Sequence, residues 1–148
     1  MSHTFWILLA SLMGMTVLTA CEGSAKKPPK KAPVKQVTRY GSVIGLKADK
    51  IDQYKKLHAA IWPEVAKAVK EANLRNYSIY LRKMPDGKHY LFSYFEYAGK
   101  DFNADMARLA VNPEVKRWWK VTDACQEALP DRKPGEWWAP MEEVFHQD

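Results

Sequence analysis

Residues 75–97 read RNYSIYLRKMPDGKHYLFSYFEY, and the fold turns on how they are read. In residues 75–83, Tyr77, Ile79 and Leu81 alternate with Ser78 and Tyr80, the period of a strand with one buried face. Residues 89–97, HYLFSYFEY, form a second strand. Between them MPDGK carries turn chemistry: Pro85 presets φ, Asp86 tolerates tight geometry, and Gly87 takes a positive φ. Two strands around that turn make a hairpin.

The elements on either side of the hairpin mirror each other. Upstream, RYGSVIGLKA (residues 39–48) alternates as a strand, with Tyr40, Ser42, Ile44 and Leu46 on one face. Asp49 is positioned to cap the next helix, and Asp52 to lie in its first turn near the positive end of the dipole. Ile51, Tyr54, His58, Ile61, Trp62 and Val65 follow helical spacing. Pro63 cannot sit inside an unbroken helix, so a kink or restart is expected there, with PEVAKAVKEAN helical to about Ala72.

Downstream, DFNADMARLA is a short helix capped by Asp101. NPEVKRWWKVTDACQEAL (residues 112–129) is a longer one, with Asn112 as cap and Pro113 at its first position. A loop, PDRKPGEWWAP, follows, and MEEVFH (residues 141–146) reads as a closing strand. The order β-α-β-β-α-β predicts an α+β split βαβ unit, a four-stranded antiparallel sheet with helices on one face. The other face should show aromatic side chains from three strands, and a second copy of the chain is its natural cover.

The first 37 residues do not belong to this domain. Phe5–Ala20, FWILLASLMGMTVLTA, is uncharged and has the length of a signal-peptide core rather than a bilayer span. It ends LTAC, which resembles the lipobox of bacterial lipoproteins. That resemblance implies removal of residues 1–20 and lipidation of Cys21, although MSHT lacks the usual Lys or Arg. Residues 21–37 are a Lys/Pro-rich tether with five Lys against Glu22, most of the net +6 of the chain. Residues 38–148 carry 18 basic and 16 acidic side chains, so the basic balance is no argument for nucleic acid, and no nucleic-acid partner is expected. The tether suits either an anionic membrane surface or a plain solvated spacer. With Cys21 as anchor, Cys125 has no disulfide partner and reads as a buried thiol on the second long helix.

Chemistry-bearing motifs are few. His3, His58, His89 and His146 make no metal-ligand spacing, and neither a serine-hydrolase elbow nor a Gly-rich phosphate loop is present. His58 remains, one turn after Tyr54, so their side chains share a helix face. Imidazole suits a group that both gives and takes a proton. A hydrogen-bonded core histidine beside a core tyrosine is the plainer reading, and the residues alone favour it. Trp118 and Trp119 point about 100° apart on a helix, so one can pack inward while the other lines a cleft. Trp137 and Trp138 suit a lid or a dimer contact.

Taken together, QYKKLHAAIWPE, RNYSIYL, RWWK and the terminal EEVFH resemble the L-rhamnose mutarotase family, over essentially all of residues 39–148. The resemblance implies a ferredoxin-like βαββαβ unit that dimerises through its sheets into an α/β barrel. It also implies cofactor-free, metal-free interconversion of the anomers of L-rhamnose or a similar deoxy sugar. The family's catalytic histidine falls on His58, its substrate-binding tyrosines on Tyr54 and Tyr77, and its tryptophan pair on Trp118 and Trp119. The lipobox and tether depart from the family's usual leaderless form and imply a lipid-anchored homodimer in the cell envelope, on the periplasmic side of the outer membrane in a Gram-negative host. Two other readings stand beside this one. The chain could be a lipid-anchored sugar-binding envelope protein without turnover, or a cofactor-free or haem-linked monooxygenase of the dimeric α/β-barrel type.

Overall fold

The hairpin forms as read, in a computed structural model that describes residues 37–147. β2 (Leu74–Lys83) and β3 (His89–Tyr97) pair antiparallel from Leu74↔Tyr97 to Lys83↔His89. Gly87 has φ +82°, the conformation expected of it. β1 (Thr38–Leu46) pairs antiparallel with the other edge of β3, with Ser42 opposite Ser93 and their hydroxyls 2.6 Å apart. The sheet order is β2-β3-β1 followed by a fourth edge, the antiparallel arrangement that a split βαβ unit requires. The expected signal peptide, Cys21 and nearly all of the tether lie outside the described residues.

One irregularity in β2 sets which side chains face inward. Arg75 pairs with Glu96 and Ser78 with Tyr94, so Asn76 and Tyr77 together oppose Phe95 alone. This is a β-bulge. Asn76 takes φ +48°, a region asparagine tolerates better than most residues, and its amide donates to Glu96 at 2.7 Å. The extra residue flips the phase of the strand. Leu74 and Tyr77, three apart in sequence, thereby share the helix-covered face with Ile79 and Leu81.

The helices follow their caps with one exception. α1 (Ile51–Ala59) stops at Ala60, and α2 (Pro63–Glu71) restarts with Pro63 at its first position and Trp62 extended, as a residue before proline must be. α3 (Phe102–Val111) is capped by Asp101, which accepts from the Ala104 amide. α4 (Pro113–Asp123) is capped by Asn112, which accepts from Glu114 and Val115. Asp49 does not cap α1. It lies inside a single 3-10 turn, Ala48–Lys50, and α1 begins without a side-chain cap.

Two expectations at the C-terminal end are corrected. α4 ends at Asp123 instead of running to residue 129, so Cys125 is buried in a turn and not on a helix. The free edge of β1 is the cause: the Lys47 amide donates to the Cys125 carbonyl, and β4 (Gln126–Glu127) pairs with Gly45 and Leu46. Gly45 permits that approach, since a Cβ there would lie 2.7 Å from the Glu127 carbonyl oxygen. The closing strand is therefore split. β5 (Ala139–Met141) pairs with Gly41–Val43 on the same edge, and residues 142–147 form no strand. An Arg39–Glu143 ion pair at 2.7 Å holds the outgoing chain in place of a ladder.

Buried side chains fall into two clusters between sheet and helices. Ala68, Ala72, Leu74, Tyr97, Leu109 and Val115 form one, and Ile44, Leu46, Tyr54, Leu91 and Cys125 the other. On the open face, Tyr80 stands opposite Phe92 with Tyr90 and Tyr94 alongside. Tyr80 is 62 % exposed. The aromatics of this face come from β2 and β3 only, because β1 contributes Gly41, Val43 and Gly45 there.

Candidate active site

A cavity of about 860 Å³ opens under α1, α2 and α4, with walls drawn from both clusters. Tyr54, His58, Tyr77, Trp118 and Trp119 all line it. Residues from α1, β2 and α4 that are far apart in sequence thus meet around one space.

His58 is held by its own helix. Its Nδ1 lies 3.0 Å from the Tyr54 carbonyl oxygen, and a carbonyl can only accept, so Nδ1 carries the hydrogen. Nε2 is left with the lone pair. The imidazole stacks on the Tyr54 ring at 4.1 Å and meets the edge of Trp118 at 5.2 Å. Burial among these rings lowers the His58 pKa below the ordinary histidine value, and the bond to Tyr54 opposes only part of that. His58 is therefore predominantly neutral at neutral pH.

The two tyrosines differ. Tyr54 is buried, and its hydroxyl accepts from Gln126 Nε2 at 3.4 Å; burial raises its pKa, so the phenol stays protonated. Tyr77 is 46 % exposed as a whole residue, yet burial around its hydroxyl raises its pKa as well. Both offer O–H groups to a polar ligand rather than charge. The tryptophan pair divides as helical geometry requires. Trp118 is 6 % exposed and packs edge-on against Trp62, whereas Trp119 lines the cavity and is 38 % exposed.

Two lining groups went unread in the sequence. Gln126 donates to Tyr54, and its Oε1 accepts from the Trp137 indole at 2.7 Å. Asp123, the last residue of α4, lines the cavity near Trp137, and burial raises its carboxyl above the usual carboxylate range. No local pattern marks Gln126 or Asp123, because their inward placement depends on where α4 stops. Trp137 and Trp138 both line the cavity, the position of a wall. Among the described residues no group of His, Cys, Asp and Glu could hold a metal ion.

Comparison with known proteins adds a family. The sequence model described as L-rhamnose mutarotase matches residues 39–147. A protein named L-rhamnose mutarotase from Phocaeicola vulgatus is 36 % identical over 96 residues, covering 65 % of this chain and 85 % of its own. One of the same name from Lactiplantibacillus plantarum is 32 % identical over 112 residues, 76 % of this chain and all of its own. The crystal structure of an L-rhamnose mutarotase from Formosa agariphila superposes with a TM-score of 0.55 at 27 % identity, covering 75 % of this chain and 99 % of that one.

Proposed function

The chain belongs to the L-rhamnose mutarotase family, and we propose that it interconverts the α and β anomers of L-rhamnose by general acid–base ring opening at His58. The observation that carries this reading is the tautomer of His58 inside the cavity: Nδ1 is committed to a carbonyl, and Nε2 is free to exchange a proton with a bound sugar. Mutarotation requires a proton on the ring oxygen as the C1–O5 bond breaks, and return of that proton after rotation about C1–C2. The imidazolium form of His58 supplies it and the imidazole form recovers it. The Tyr54 and Tyr77 hydroxyls hold sugar hydroxyls, and the exposed face of Trp119 covers the C–H face of the ring. Trp118 backs His58 from below. The cavity is ample for a monosaccharide.

Exchange between α- and β-L-rhamnose, followed by saturation-transfer NMR, tests this. The full chain should accelerate exchange well above the buffer rate. Sugar binding without any acceleration would favour a binding protein that does not turn over.

The assembly and setting are part of the same proposal. The open sheet face, with exposed Tyr80 over Phe92, supports a homodimer formed through the sheets. Light scattering should give twice the mass of the purified chain, and Tyr80→Lys should shift it toward the monomer; a monomeric unmodified chain would refute the dimer. The uncharged Phe5–Ala20 stretch before Cys21 supports lipid anchorage in the cell envelope. In a bacterial host the chain should fractionate with membranes and Cys21→Ser should release it. Equal partitioning of the two would exclude the anchor.

A further inference from the structure

We propose that Asp123 is the second proton-transfer group, working with His58 on the same sugar; this rests on the mutarotase reading above. Ring opening moves two protons in opposite senses, one off O1 and one onto O5. A single imidazole carries one of them, so another group must hold the other.

Its place in the cavity wall and two neighbouring side chains bring Asp123 to that role. It lies four residues after Trp119 on α4, hence on the same helix face, and lines the cavity shared by Tyr54, His58 and Tyr77. Its charge acts on the Tyr54 hydroxyl, whose ring stacks on His58 at 4.1 Å. The Trp137 indole, which donates to Gln126 at 2.7 Å, also acts on its carboxyl and offsets part of the effect of burial. Burial raises the Asp123 carboxyl and lowers the His58 imidazole, so their affinities for a proton converge. Convergence narrows the free-energy gap between two single-proton forms: imidazolium with carboxylate, and imidazole with carboxylic acid.

The cycle balances with no other reagent. The Asp123 carboxylate takes the O1 proton while the His58 imidazolium protonates O5. The O1–H electron pair becomes the second C1–O1 bond, and the C1–O5 pair stays on O5. After rotation about C1–C2, O5 attacks the opposite face of C1. Its proton returns to His58, and O1 recovers the proton from Asp123.

The other titratable groups lining the cavity are Tyr54 and Lys55 on α1 and Tyr77 on β2, with the buried Cys125 thiol acting on Tyr54 from behind the wall. Both phenols and the thiol have raised pKa values and stay neutral through the acid and neutral range. The pair is active while it holds one proton. The rate falls at high pH as His58 loses that proton, and at low pH as a second proton neutralises Asp123.

The test compares the full chain with its Asp123→Asn and Asp123→Glu variants by exchange of L-rhamnose, sugar affinity and the pH profile of kcat/KM. The unmodified chain should give a bell-shaped profile. Asp123→Asn should lose about 10²-fold or more in kcat, keep its affinity, and lose the acid limb, whereas Asp123→Glu should regain part of the rate. An Asp123→Asn variant within about threefold of the unmodified kcat, with both limbs intact, would overturn the proposal. If the unmodified chain fails to exchange anomers, the mutarotase reading itself fails, and Asp123 falls with it.

Discussion

His58→Ala should reduce anomer exchange by about 10²–10⁴-fold, the usual worth of a positioned acid–base group, while leaving L-rhamnose affinity largely in place. The geometry explains why the loss is chemical. Tyr54 and Trp118 shape the pocket around the imidazole, and the Tyr54 hydroxyl is bonded to Gln126 rather than to His58. Added imidazole should restore part of the rate, which a merely structural role for His58 would not allow. A second signature lies in stability. Because burial lowers the His58 pKa, the unfolded chain binds more protons than the folded one between the folded value and about 6.5, so stability rises with pH across that window. Urea midpoints of the unmodified chain should fall as pH drops below about 6.5, more steeply than those of His58→Ala. An alanine variant that exchanges anomers at the unmodified rate would remove His58 from the mechanism.

Trp118→Ala should destabilise the fold by about 3–5 kcal/mol, the range for removing a buried tryptophan. Its ring supports His58 on one side and Trp62 on the other, and little of it meets solvent. That cost is a large part of the roughly 5–15 kcal/mol that holds a domain of this size together, so the variant should unfold at much lower denaturant. Trp119→Ala is the contrast. With 38 % of the residue exposed, it should change the denaturation midpoint little and weaken sugar binding instead. Denaturation and sugar titration on the two variants separate the roles. Equal stability losses would mean that both rings serve the core.

Adjacent tryptophans illustrate the limit of a sequence reading. Helical geometry says that Trp118 and Trp119 diverge, but not which one meets the core, because the rotation of α4 about its axis is set by Val115 and Thr122 packing beneath it. Tyr77 is similar. Alternation placed it with Ile79 and Leu81, yet its sharing a face with Leu74 required a bulge that only the left-handed turn at Asn76 creates.

What the sequence by itself determined was local: the hairpin turn at MPDGK, the caps at Asp101 and Asn112, the restart at Pro63, and the His58 block that carries the family. Each is written in residues a few positions apart, whose own dihedrals and hydrogen bonds decide the outcome. Only the tertiary structure decided where α4 ends, how the last edge of the sheet is divided between β4 and β5, and that Asp123, Gln126 and Trp137 form one wall of the cavity. The physical reason is the open edge of β1, whose unpaired backbone groups recruit residues 80 and 82 positions away against their helical preference.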